Sequence, residues 1–369
     1  MFTKAARCVW NGTSIRMLLL LPLLLTFACS PRLAGGPGAN VNPVEILEKS
    51  PRIYHIGFET IADSMETLHA SAYLAGGLVG DLKAAAVEAG SLEHQSDAAR
   101  VQTEYFKARR RYDAGASGIA VKHLRLALGI DPEFRPAQLL SAEMFLDDHK
   151  VKEAVGIYGR ILNRDFTDSD ALVGLARCLM LMGRLEEARR ALIDAVIFDR
   201  VNLGAWQNLH VLGEVRDFTV ATHDAPELGM TRKSAGRHYD IVVDASLEDC
   251  PVQAAAWIVF ASQRAVWRYE GKHKRYLGVP RYVHTYEEDI DCYMALATAW
   301  KVLSQRDSIS CDTRYFDYLD QVAEDGYLVP HVLFDHVCLE DPFAARGFSL
   351  ETIDGLREYI SRYVLVPKG

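Results

Sequence analysis

Two short stretches bring imidazoles beside carboxylates. His284 is followed by Glu287 and Glu288, and His331 by Asp335 and His336. On a helix, one-turn spacing of this kind places side chains on one face, where they can share a proton or a metal ion. Neither stretch is His-Glu-x-x-His, and nothing in the sequence joins the two. The chain has no Gly-x-Ser-x-Gly elbow, no Cys/His pair and no Gly-rich nucleotide loop. The expectation is histidines satisfied within the fold or facing water, with no catalytic residue, metal or cofactor.

A second candidate is basic. Arg264, Arg268, Lys272, Lys274, Arg275 and Arg281 alternate with Trp267, Tyr269, Tyr276 and Tyr282. Cations beside flat rings suit a single-stranded nucleic acid, an anionic glycan or a lipid headgroup. A formal net charge of −8 argues against general nucleic-acid binding. The simpler expectation is that these cations pair with the acidic run Glu287, Glu288, Asp289 and Asp291. Carboxylates there would also meet the positive end of the helix dipole.

The cysteines bear on compartment. Lys4, Arg7 and Arg16 lead an apolar run from Met17 to Phe27, too short to span a bilayer and suited to the core of a signal peptide. The run ends Leu25-Thr26-Phe27-Ala28-Cys29-Ser30 and resembles a bacterial lipoprotein signal, which implies lipid attachment at Cys29 and a cell-envelope protein facing the periplasm. Ser30 after the cysteine favours the outer membrane by the same analogy. Thr26 and Phe27 depart from that pattern, and ordinary cleavage near Ala28 or an uncleaved anchor is the alternative. Pro31 to Pro43 is rich in Gly, Pro and Asn, as a tether would be. Cys178 falls on a repeat helix as a small core residue. Cys250, Cys292, Cys311 and Cys338 allow three pairings in an oxidising compartment, or remain buried thiols.

What positions any site in the middle of the chain is a repeat. Ala108, Ala142 and Ala176 are 34 residues apart, as are Ala120, Ala154 and Ala188; Leu124, Tyr158 and Leu192; and Ala127, Ile161 and Ala195. Each unit reads as two helices of about three turns joined by a break such as Met182-Gly183-Arg184. Trp206 opens a fourth helix, Leu203 to Val215, without a clear partner. These residues resemble the tetratricopeptide repeat (TPR) family, whose pattern places small, small, large and small residues at these offsets. The resemblance implies an all-α helical-hairpin solenoid over residues 101–215 and a concave face lined by the first helix of each unit. In register, that face carries Tyr105, Arg109 and Tyr112, then Leu139, Glu143 and Leu146, then Val173, Arg177 and Met180, with Gln207 and Val211. It lacks the Lys/Asn cluster that grips a peptide C-terminus in some members, and an amphipathic partner helix suits it better. The alternative occupant is intramolecular: the stripe Phe58, Ile61, Met65, Leu68 and Ala72, or the C-terminal helices.

Around the array, residues 1–28 read as a signal peptide and 29–43 as the tether. Residues 44–100 read as a helical cap on the repeats, 216–236 as a linker and 237–369 as a mostly helical C-terminal domain. In that domain helices are expected at Pro251–Tyr269, Thr285–Ser304, Asp312–Glu324 and Ser349–Tyr363, with Trp257 and Trp300 as core anchors and a lone strand at Tyr239–Val243. The layout resembles TPR lipoproteins that assist secretin or outer-membrane protein assembly. It implies a scaffold that binds a protein partner and is tied to the membrane, with no nucleic acid and no small-molecule substrate. The rival class is an enzyme or anionic-glycan binder with its site in the C-terminal third.

Overall fold

The computed structural model describes residues 42–61, 96–221, 227–305 and 311–368. The signal peptide, Cys29 and most of the tether lie outside the described residues, as do Met65, Leu68, Ala72 and the Gly76–Gly80 pair. In chain order the elements are α1 (Pro43–Glu48), β1 (Ile53–Glu59), α2 (Asp97–Asp113), α3 (Ser117–Ile130), α4 (Arg135–Asp147), α5 (Val151–Arg164), α6 (Ser169–Leu181), α7 (Leu185–Phe198) and α8 (Leu203–Arg216). There follow β2 (Phe218–Val220), β3 (Gly229–Lys233), β4 (His238–Asp244), α9 (Pro251–Tyr269), α10 (Lys272–Leu277), α11 (Tyr286–Leu303) and α12 (Arg314–Glu324). The chain closes with α13 (Leu328–Val332), α14 (Cys338–Glu340), α15 (Leu350–Tyr359) and β5 (Leu365–Pro367). The fold is all-α in class, built on helical hairpins. It divides into two compact units: residues 42–61 with 227–340, and residues 96–221 with 341–368.

The array unit follows from its small residues. Ala108, Ala120, Ala142, Ala154, Ala176 and Ala188 are all fully buried, so paired helices approach with no side chain between them. Leu124, Tyr158 and Leu192 fill the space beside them and are also buried. At Gly174 the approach is closest, since a Cβ there would sit 2.2 Å from the Tyr158 ring. Helix ends repeat too: Asp168 and Asn202 each accept a hydrogen bond from the backbone N–H three residues on, at 3.0 and 2.9 Å. The turn inside each hairpin needs a left-handed residue, supplied in register by Gly115, His149 and Gly183, and Asp217 repeats it at the end of α8. Glycine meets that demand without cost; His149 and Asp217 do not.

The end of the array corrects the expected boundaries. Residues 341–368 belong with the repeats rather than with the C-terminal domain. Helix α15 begins at the Ser349 cap, which accepts from the Thr352 N–H, and buries Ile353, Leu356 and Tyr359. It packs on α7, and Arg357 bridges to Asp194 at 2.6 Å. Strand β5 then pairs antiparallel with β2, Thr219 facing Val366. The expected linker therefore holds two strands, β2 and β3, with residues 222–226 outside the described set.

The second unit contains a three-stranded sheet in the order β1-β4-β3. The helical cap expected from residue 44 is another correction: after the one-and-a-half-turn α1, Ile53–Glu59 is a strand. It lies parallel to β4, with Phe58 opposite Val243. Tyr54 and Ile56 alternate inward, a period of two that the longer helical pattern through Phe58 and Ile61 overrides in a local reading. Helix α9 has Pro251 in its first turn and is buried on every side from Val252 to Trp267. A helix apolar all round belongs inside, and here it lies between the sheet and α11. Trp257 packs edge-on to Phe260 at 5.0 Å, and Trp300 stacks on Phe316 at 4.2 Å.

Two glycines one repeat-helix apart should respond oppositely to a methyl group. Gly174→Ala forces Cβ into the Tyr158 ring and should cost about 1–3 kcal/mol. Gly159→Ala meets nothing within 4 Å and should gain about 0.5–1 kcal/mol from helix propensity. Urea unfolding of the two variants beside the parent is the check.

Candidate functional site

Helices α2, α4, α6 and α8 contact one another in order, so residues 34 apart form columns across a common face. At the α2 end that face is occupied by its own polar groups. Arg109 pairs with Asp113 at 3.1 Å and with Glu143 at 3.4 Å, and lies over the Tyr112 ring. Tyr112 donates to Asp147. Tyr105 is half-buried and packs edge-on to Phe134 at 5.7 Å. These contacts tie the first repeat to the second and leave little there for a ligand to bond.

The α8 end differs. Arg177 is exposed and has no ion pair or hydrogen bond among the described residues. Leu181 follows it one turn on, Val211 and Val215 continue the two columns on α8, and Leu203 opens that helix, with exposures of 64, 56, 61 and 57%. Val173 and Met180 are half-buried beside them, and Gln207 is exposed. The family register does not single out Leu181, Leu203 or Val215. The signal available was the column Asp113, Asp147, Leu181, Val215, which turns from acidic to apolar along the array. Leu139 is half-buried against the core of the second hairpin. Leu146 is a correction: at 5% exposure it is packed in that core with Ala154, Ile157 and Tyr158, although Tyr112 and Met180 of the same column are only half-buried.

In the other unit the basic stretch splits. Arg264 is buried and bonds Glu227 at 2.8 Å and Asp289 at 2.9 Å. Arg268 lies 3.3 Å from the fully buried Glu288, which also accepts from Tyr282 at 2.7 Å. Lys272 bonds Asp291. Burial pushes the Glu288 carboxyl above its ordinary range, against the pull of Tyr282 and Arg268. Lys274, Arg275 and Arg281 remain exposed.

The histidines fall into two places. His284 bonds Asp289 at 2.8 Å and not Glu287 or Glu288. His331 is fully buried with its Nδ1 3.0 Å from Asp335, and His336 shares a 2.9 Å hydrogen bond with Tyr293. Among the described residues no three His, Cys, Asp or Glu side chains are grouped to hold a metal ion. Among the described residues the cysteines resolve into a Cys250–Cys311 disulfide, with Cys178, Cys292 and Cys338 as buried thiols.

Residues 145–211 match the tetratricopeptide repeat family model. The array is a TPR array, and its family role is protein–protein interaction. A search of curated proteins found no match.

The two histidine settings should titrate apart. The bond to Asp289 raises His284 above its ordinary 6.5. Its contribution to stability is complete below 6.5 and is lost as pH rises through the folded value. Burial, with His331 adding, pushes His336 down to about 3; its Nε2 is enclosed although an edge of the residue reaches water. The unfolded chain takes up that proton first, so this contribution is lost as pH falls below 6.5. Imidazole NMR should show His284 titrating above 6.5 and His336 unchanged down to pH ~5.

Proposed function

We propose that the protein is a non-enzymatic scaffold that holds a partner protein on the open face of its TPR array while tied to a membrane through Cys29. The observation that carries this is the apolar end of the array face: Leu181, Leu203, Val211 and Val215 exposed around the unpaired Arg177. Soluble domains seldom leave contiguous apolar side chains bare unless something covers them. A partner helix with apolar residues at helical spacing and one carboxylate would cover the valines and leucines and pair Arg177. The α2 end, where Arg109, Tyr112 and Glu143 bond within the array, would set the limit of the footprint.

The location rests on the leader and Cys29, and the Cys250–Cys311 disulfide favours an oxidising compartment, in keeping with the periplasmic side of a bacterial envelope. Ser30 points to the outer membrane. The enzyme alternative draws on the buried His331, Asp335, Tyr293 and His336 group. Those side chains bond in two pairs, His331 with Asp335 at 3.0 Å and Tyr293 with His336 at 2.9 Å, as structural polar groups in a core do.

Two outcomes follow for the whole protein. Cys29→Ser should release it from membranes or leave the precursor uncleaved, and intact-mass analysis of the parent should show a lipid-modified N-terminus. Partners captured from membranes with the parent should bind Arg177→Glu and Val211→Glu more weakly, each by on the order of 1–3 kcal/mol, while His284→Ala leaves binding unchanged. Binding that survives both array changes sinks the proposed face.

A further inference from the structure

The unit formed by residues 42–61 and 227–340 hides its apolar side chains with one local exception. Every large apolar residue that it exposes among the described residues falls between Tyr276 and Tyr286: Tyr276 at 53%, Val279 at 36%, Val283 at 56% and Tyr286 at 44%. The backbone turns sharply on either side of α10, where Gly271 and Gly278 have φ of +73° and +71°, and then runs as an irregular loop to α11. Exposed cations share the stretch. Lys274 and Arg281 have no side-chain partner among the described residues, and Arg275 reaches only the Glu270 carbonyl, at 3.1 Å.

Of the nearby carboxylates all but Glu287, which lies beside the Tyr286 hydroxyl, are spent inward. Glu288 takes Arg268 and Tyr282, Asp289 takes Arg264 and His284, and Asp291 takes Lys272. The outward charge of the loop is therefore positive, on a chain whose net charge is −8. The Tyr286 hydroxyl is raised by Glu287 and by burial. Cations, tyrosines and aliphatic side chains in one exposed stretch match the boundary between lipid headgroups and acyl chains. A nucleic acid would use free ring faces, yet Tyr276 is engaged edge-on by Trp267 at 5.4 Å, and valines offer nothing to stack on.

We propose that the stretch from Lys272 to Tyr286 is an interfacial contact for an anionic lipid bilayer: Val279, Val283 and the two tyrosines enter the headgroup boundary, and Lys274 and Arg281 hold lipid phosphates. The contact lies in the surface and does not span it; no helix among the described residues is long and apolar enough to cross a membrane. It uses neither the array face nor Cys29, so it stands or falls separately from the scaffold reading.

Hydrogen exchange of the full chain is the test, read on the amides of residues 272–286 with and without vesicles. Vesicles of phosphatidylcholine and phosphatidylglycerol at 7:3 should slow that exchange on the order of tenfold, and pure phosphatidylcholine vesicles should not. Lys274→Glu with Arg281→Glu should abolish the effect, as should Val279→Ser with Val283→Ser, while exchange in α11 stays as in the parent. No slowing on the anionic vesicles, or equal slowing on the neutral ones, overturns the proposal. So does a single-stranded oligonucleotide at matched phosphate concentration that slows the same amides as much as the vesicles do.

Discussion

The closeness of helix pairs in the array governs what its surface can be. Helices of about three turns are marginal alone in water, so each hairpin keeps its shape by stacking on the next. Stacking at that distance requires residues without bulk, and Ala108, Ala142 and Ala176 with Ala120, Ala154 and Ala188 have no exposed surface at all. Where one helix carries Tyr158 instead of the Leu of its column, its neighbour answers with Gly174. Once those contacts are set, the 34-residue register fixes which side chains face outward together. The character of the open face is then a matter of columns: Arg109, Glu143, Arg177 and Val211 form one, and its members meet different fates along the array. Early members neutralise one another; the later ones have nothing left to pair with.

The other unit is held by a different constraint. Helix α9 is surrounded, so each of its polar residues must find a partner inside the protein. Arg264 finds Glu227 and Asp289, Gln263 finds Asp291, and Gln253 finds the Asp312 carbonyl. Desolvating such charges is costly, and removing one partner from a buried pair typically costs about 3–5 kcal/mol. The cluster is therefore better read as fixing how α9, α11 and the segment at Glu227 meet than as a store of stability. The same pairing draws carboxylates inward and leaves the loop after α10 positive.

The Cys250–Cys311 disulfide joins the start of α9 to the segment that leads into α12, across a sequence separation of 61. Closing a loop of that length restricts the unfolded chain by roughly 4 kcal/mol in the chain-entropy model. Cys292 and Cys338 are buried, and burial lifts the Cys292 thiol well above its ordinary range. Among the described residues three thiols, Cys178, Cys292 and Cys338, thus serve as small core residues, and one pair serves as a staple.

The sequence alone determined whatever repeats or is local. The spacing of Ala108, Ala142 and Ala176 announced the hairpins, Pro251 and Ser349 marked helix starts, and Trp257 and Trp300 stood out as anchors because large apolar residues at helical spacing have to be buried. The tertiary structure decided what depends on distant partners. Strand β1 pairs with β4 in parallel, Ile53 opposite His238, and no local period in residues 44–61 specifies a partner so far along the chain. The return of residues 341–368 to the array, with β5 on β2 and Arg357 on Asp194, was hidden for the same reason. Among the site residues, the columns placed Arg109, Arg177 and Leu146 on first helices. Burial of Leu146, pairing of Arg109 and isolation of Arg177 were settled by their neighbours in space. Side-chain type and register say which face a residue is near; only the packed neighbours say whether its charge or its apolar surface is still available.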